Sequence, residues 1–319
     1  MKIIAKHIFK ILKYCIITII AFLIFTSISN IAITAIEKNK NHAPENIVIN
    51  KNSNIHLLIR GSGNTKIILL SGLGTASPHL DFMPLIEELE KNYIVCVVEL
   101  NGYGWSKTTK TPRTNENIVN EIRLSLQEAN IYPPYVLMPH SIAGIYSLYY
   151  ANNFPQEIKA IIGLDTSVAI QAKNIKNETR INWYGILRNI GLVRLALFIK
   201  PDYLGYDKNT YKTETIKKIN MFTCWNLYNE NIWDEDIKFA NNCEEVSSYV
   251  IPKNIPCRFI LSNETINHSI RRMGINWLAE HEKLIGSNNN GAIITLDGSH
   301  HIHRKNYLEI TKIVNELFL

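Results

Sequence analysis

The chain has 319 residues, room for one large domain with an insertion, and its hydrophobic share of 46% is enough to fill a buried core. The net charge of +6 is modest, and four lysines, Lys2, Lys6, Lys10 and Lys13, crowd the first turns, so charge describes the N-terminus rather than an acidic partner. No basic patch with interleaved aromatics occurs, which argues against a nucleic-acid partner, and the five cysteines, Cys15, Cys96, Cys224, Cys243 and Cys257, lack metal-ligand spacing.

After the lysines, residues 14–36 carry no charge and are long enough to cross a bilayer as one helix. The flanking lysines predict a cytoplasmic N-terminus and an extracytoplasmic remainder. Residues 1–36 therefore read as a retained anchor of a single-pass protein in the cell membrane. A cleaved signal segment, leaving a secreted protein, is the alternative, with Ile33-Thr34-Ala35 as a poor cleavage site. Residues 37–53, rich in Asn and Lys, read as a linker, and 54–319 as the folded domain.

Lys66–Leu70 is a short buried strand, and Ser71-Gly72-Leu73-Gly74-Thr75 the loop after it. Residues 81–90 have helical periodicity, residues 93–98 form the next strand, and Gly102-Tyr103-Gly104-Trp105-Ser106 follows. An apolar run then ends at Pro139-His140-Ser141-Ile142-Ala143, and an amphipathic stretch follows at once. This is the form of a nucleophile elbow, a strand–turn–helix so tight that the residues two before and two after the serine must be small. Here they are Pro139 and Ala143. The turn lifts the Ser141 hydroxyl off the sheet edge and aims the Ile142 backbone N–H at the same spot. His140 is expected to support the elbow.

Ile158–Leu164 is a further strand, closing at Asp165. Residues 167–255 are too many for a plain loop and contain amphipathic pieces such as 183–199. Residues 257–261 form a strand followed by Ser262-Asn263-Glu264-Thr265; residues 292–296 form the last, followed by Asp297-Gly298-Ser299-His300-His301-Ile302-His303 and a closing helix. Strands alternating with helices imply a mostly parallel sheet. Cys96 and Cys257 sit within strands as small hydrophobes; Cys224 and Cys243 are candidates for a disulfide.

A serine needs a base to take its proton during attack. His300, directly after a turn at the sheet edge, is the candidate, with His301 and His303 as competitors. A metal site made by these three histidines is the alternative, but no carboxylate or cysteine cluster supports it.

The Ser71-Gly72-Leu73-Gly74 loop, Gly102-Tyr103-Gly104-Trp105-Ser106, the elbow and the histidine after Gly298-Ser299 occur in the order of the α/β-hydrolase family, which the chain resembles over roughly residues 56–319. It departs from the family at Ser71, usually His, and at Pro139, usually Gly. The resemblance implies an α/β fold: a mostly parallel sheet flanked by helices, with 167–255 as a helical cap whose Trp183, Tyr184, Phe222 and Trp225 either line a pocket or pack the cap on the core. It implies Ser141 as nucleophile, His300 as base and Glu264 as acid, with Asp165 the alternative acid. The oxyanion donors would be the backbone N–H groups of Leu73 and Ile142. No cofactor or metal is implied. The expected activity is hydrolysis of an ester or related acyl bond of a small-molecule acyl substrate through an acyl-enzyme. Peptidase, thioesterase and acyltransferase chemistry use the same machinery, and a noncatalytic binding or sensor protein on this fold is the alternative.

Overall fold

Short runs of Ile, Val and Leu that are buried along their whole length form parallel strands covered by helices on both faces. The computed structural model describes residues 2–43, 47–49, 55–174 and 180–319. Among these, eight strands form one sheet: β1 (Ile47–Ile49), β2 (His56–Arg60), β3 (Lys66–Leu70), β4 (Ile94–Glu99), β5 (Tyr135–Pro139), β6 (Ile158–Leu164), β7 (Cys257–Ser262) and β8 (Gly291–Leu296). Their spatial order is β1-β2-β4-β3-β5-β6-β7-β8. The pairs β1–β2 and β2–β4 are antiparallel and all others parallel. The carboxyl ends of β3, β5, β6, β7 and β8 therefore share one edge, where such sheets place their sites.

A long helix, α1 (Lys2–Lys40), precedes the sheet. Helices α2 (Pro78–Asp81) and α3 (Met83–Leu89) link β3 to β4, α4 (Asn115–Glu128) links β4 to β5, and α5 (Ala143–Asn153) follows the serine turn. Between β6 and β7 lie α6 (Trp183–Asn189), α7 (Leu192–Ile199), α8 (Thr213–Asn226) and α9 (Glu230–Glu245). Helices α10 (Asn263–His268) and α11 (Trp277–Ile285) separate β7 from β8, and α12 (Ile302–Lys305) and α13 (Tyr307–Phe318) close the chain. One sheet face packs against Ile118, Ile122, Ile145 and Tyr146, the other against Phe82, Leu85, Ile310 and Val314. A third cluster, with Leu197, Tyr206, Tyr211 and Phe222, is the cap's own core.

Two expectations need correction, the linker and the disulfide. Residues 37–53 are not simply a linker: α1 continues to Lys40, and β1 pairs with β2, while 44–46 and 50–54 lie outside the described residues. Helix α1 continues because Glu37 is held by Arg194 of α7 at 2.7 Å and by the Trp225 indole at 2.8 Å. The amphipathic stretch 183–199 is broken into α6 and α7 at Gly191, whose φ of +81° is left-handed and where an added Cβ would stand 2.4 Å from the Thr26 carbonyl oxygen. Cys224 and Cys243 are both free and buried, one in the cap core and the other in the sheet core.

Helix α1 is long and apolar enough over Ile4–Lys40 to cross a membrane, and its apolar side chains are largely exposed.

Candidate active site

The β5 strand ends at Pro139, and His140 continues its pairing, donating its N–H to the Leu70 carbonyl at 2.8 Å. Ser141 then adopts φ +55°, a left-handed conformation that costs a non-glycine residue free energy and turns the chain into α5 within one residue. Its carbonyl accepts from Gly144 at 2.9 Å and from Ser167 at 2.8 Å, which holds the turn from both sides. Ala143 is fully buried, and a Cβ on Gly144 would meet Thr166 at 2.6 Å, so a third position beyond the expected two must be small. Ser141 itself is only half-buried.

Ser141 Oγ lies 2.8 Å from His300 Nε2, and His300 Nδ1 lies 2.7 Å from Asp165 Oδ2. Asp165, at the end of β6, is fully buried with φ +45°. It also accepts the Ser262 N–H on Oδ1 at 3.0 Å and the Thr265 hydroxyl on Oδ2. Three donors on one carboxylate fix its position and aim. His140 Nε2–H donates to the His300 carbonyl at 3.0 Å, which ties the base to the elbow.

The acid expected at Glu264 is corrected by this arrangement. Ser262 caps α10 by accepting the Thr265 N–H at 3.2 Å, so Glu264 falls in the first helical turn. It is exposed, beside a surface cleft shared with Asn267, His268, Arg271 and Arg272. Thr265, from the same turn, reaches inward and touches Asp165 instead. Nothing in the sequence marks Thr265 or Ser262 as partners of a residue about a hundred positions earlier.

The loop after β3 presses on the elbow: a Cβ on Gly72 would stand 2.8 Å from His140 Nδ1 and 2.9 Å from Ser141 Cβ. Only glycine lets the next peptide come this close. The N–H groups of Leu73 and Ile142 have no acceptor among the described residues, whereas Gly74 and Thr75 donate to the Tyr103 hydroxyl and the Gly72 carbonyl. A cavity of about 210 Å³ adjoins the loop, walled by Leu73, Gly74 and His301 from the domain and by Tyr206, Ile219 and Leu227 from the cap.

Trp183, Tyr184, Phe222 and Trp225, expected to line a pocket or pack the cap, do not line this cavity. Phe222 and Trp225 pack edge-on against Trp105 in and beside the cap core, and Trp183 and Tyr184 are exposed.

Of the other two late histidines, His303 belongs to a separate buried network and half-buried His301 packs beside it. His303 Nε2–H and the Arg304 guanidinium donate to Asp81 at 2.7 and 2.8 Å, and the Tyr206 hydroxyl donates at 2.7 Å. Burial disfavours the Asp81 charge, but Arg304 and His303 outweigh it and hold the carboxyl well below its ordinary range. Burial, then the nearby Arg304, pushes His301 down to about 3, so it stays neutral. A metal site from His300, His301 and His303 is not assembled, because both His300 nitrogens are engaged by Ser141 and Asp165. Asp81, His301 and His303 do bring ligand atoms within 4.8 Å of one another, but the Arg304 guanidinium already neutralises the negative charge that the carboxylate would offer a cation.

A family model described as the alpha/beta hydrolase fold matches residues 66–212. The uncharacterized protein YbdG of Bacillus subtilis is 25% identical over 308 residues, 93% of this chain and 94% of its own length. Pimeloyl-acyl-carrier-protein methyl ester esterase of Xylella fastidiosa is 33% identical over 75 residues, 24% of this chain and 27% of its own. Among solved structures, epoxide hydrolase VrEH1 of Vigna radiata superimposes with a TM-score of 0.64 at 14% identity, covering 86% of this chain and 99% of that one. Esterases and epoxide hydrolases thus share its architecture. With its strand order, its serine turn and the match over residues 66–212, the chain has the α/β-hydrolase fold.

Proposed function

We propose that this protein is a serine hydrolase that cleaves an ester or related acyl bond through an acyl-enzyme. The observation that carries the reading is the continuous chain from Ser141 Oγ through His300 to Asp165, at 2.8 and 2.7 Å. Ser141 Oγ attacks the acyl carbon while its proton passes to His300 Nε2, and the imidazolium is stabilised by Asp165 on Nδ1. The carbonyl oxygen, now negative, accepts from the N–H groups of Leu73 and Ile142; each such donor is worth about 10²–10³ in kcat. Collapse breaks the bond to the leaving alcohol, which takes the proton from Nε2. Water repeats the sequence and frees Ser141. The esterase among the relatives supports ester chemistry. An epoxide-opening reading would require a carboxylate nucleophile, and the elbow carries Ser141 instead. Peptide, thioester and acyl-transfer substrates use the same groups.

In this reading the partners are a small acyl substrate, entering beside the cavity at Leu73, and the membrane, through α1. The lysines before residue 14 keep the N-terminus in the cytoplasm and leave the domain outside. Cleavage of the same segment would release a secreted form.

The test is fluorophosphonate labelling of the full chain. Wild-type protein is expected to react, and Ser141→Ala to lose both labelling and hydrolysis of short p-nitrophenyl esters with an unchanged melting temperature. A folded wild type that fails to label would favour the noncatalytic, ligand-binding alternative.

A further inference from the structure

We infer that the α6–α7 hairpin of the cap is sunk in the outer leaflet of the bilayer beside α1, making a phospholipid surface the cap's partner. This rests on the reading of α1 as a membrane-spanning helix.

The hairpin docks on the part of α1 that the uncharged run occupies. The Ser27 hydroxyl donates to the Asn189 carbonyl, and Asn30 donates to the Arg188 carbonyl at 3.1 Å. Arg194 donates to Asn30 at 2.8 Å, to Thr34 at 2.9 Å and to both oxygens of Glu37. Hydrocarbon about 30 Å thick takes about 20 helical residues. Counted from the residue after Lys13, that span ends near Ile33. The α6–α7 turn, level with Thr26, then lies seven residues, about 10 Å, inside the boundary. Sliding α1 so that the hairpin leaves the membrane would draw Lys6, Lys10 and Lys13 into hydrocarbon.

The side chains agree with that depth. Phe198 and Ile199 are 82% and 73% exposed, and Phe25, Ile28 and Ile31 of α1 are 69%, 63% and 65% exposed. Trp183, Tyr184 and Tyr203, also exposed, are ring types that favour the headgroup zone. The hairpin's two arginines and the last carbonyls of α6, in contrast, are satisfied from within. The last carbonyls of α6 are capped by α1, and Arg194 spends its donors on α1. Hydrocarbon demands this, and water does not. Exposed Lys38, Lys40 and Lys200 follow the apolar segments of α1 and α7, where anionic headgroups would meet them.

The test places one nitroxide at a time in full-length protein, reconstituted in phosphatidylethanolamine–phosphatidylglycerol vesicles. Cys15→Ser removes the exposed thiol, and the other four cysteines are buried. Labels at Phe198→Cys and Ile199→Cys are compared with Ile20→Cys on α1 and Leu308→Cys on α13, all exposed positions. The expected result is an oxygen-to-nickel-chelate collision ratio at 198 and 199 several-fold above that at 308 and below that at 20, in the order of their depths. A lipid-like ratio at 20 with water-like ratios at 198 and 199 overturns the inference while leaving α1 as a span. A water-like ratio at 20 as well removes the anchor reading, and the inference with it.

Discussion

Asp165 Oδ2 accepts both the His300 imidazole and the Thr265 hydroxyl, while Oδ1 takes the Ser262 N–H. A carboxylate in this place steadies an imidazolium and selects the tautomer with the proton on Nδ1. An amide in its place would lose the charge and present an N–H to a nitrogen that must itself donate. Asp165→Asn is therefore expected to lower kcat for ester hydrolysis by about 10³–10⁴. Glu264→Gln, changing an exposed side chain, should leave kcat and stability unchanged. Steady-state kinetics on both variants, each checked for folding by circular dichroism, decide the point. A large loss only in Glu264→Gln would overturn the assignment of Asp165. A comparison of His300→Ala with His301→Ala belongs at the same scale. The first should abolish turnover because it removes the contact with Ser141. The second removes a side chain that faces the cavity and should act chiefly on KM, as read from saturation curves.

At the scale of elements, two loops are fixed by what lies behind a glycine. Gly72 lets the β3 loop rest on His140 and Ser141, and Gly72→Ala must push that loop away from the nucleophile. Losing the donor on Leu73 should cost about 10²–10³ in kcat while the melting temperature falls little. Gly104 has φ +50°, and a Cβ there would stand 2.0 Å from the Glu99 carboxylate, which accepts the Trp105 N–H and the His79 ring. Gly104→Ala should therefore destabilise the fold by about 2–4 kcal/mol, measured by urea unfolding. The sequence exposes these positions unevenly. Strands β3 and β6 are legible to the residue because all their side chains but Lys66 and Lys159 are buried, and the elbow is legible because a serine between small residues follows an apolar run. Strands β1 and β2 went unread: they are short, antiparallel and at the sheet edge. The break at Gly191 and the extension of α1 to Lys40 depend on contacts such as Arg194–Glu37, which join segments 157 residues apart. The sequence ranks Glu264 ahead of Asp165 as the acid for a related reason. Ser262 ends β7 by capping α10, and that single bond turns Glu264 outward and Thr265 inward.

Across the whole molecule, histidines concentrate where the domain, the closing helices and the cap meet. His140, His301 and His303 stack within 4.7–6.1 Å of one another, and His140 and His303 are fully buried. Burial lowers all three from the ordinary 6.5, and His281 and His56 shift the same way for the same reason. The Nδ1 atoms of His140, His301 and His303 have no partner among the described residues, so a second proton on any of them would find no acceptor. The unfolded chain binds those protons at pH 6.5 and below while the folded chain does not, so stability must fall as pH falls through that range. For His301, folded at about 3 against 6.5 unfolded, acidifying from pH 6.5 to 5 should remove about 1.7 kcal/mol, less than 1.36 kcal/mol per pH unit because the unfolded imidazole is half-protonated at 6.5. Asp81 does not confuse this window, because its depressed carboxyl contributes stability that is lost only below the ordinary 3.8. Urea unfolding of the detergent-solubilised protein at pH 7, 6 and 5 should show the wild-type midpoint dropping steadily. His301→Gln, which cannot titrate, should drop less by about 2 kcal/mol over the same interval. Parallel curves for the two proteins would mean that His301 gains its proton in the folded state as readily as in water, and that the cap does not seal the cavity it shares with Leu73.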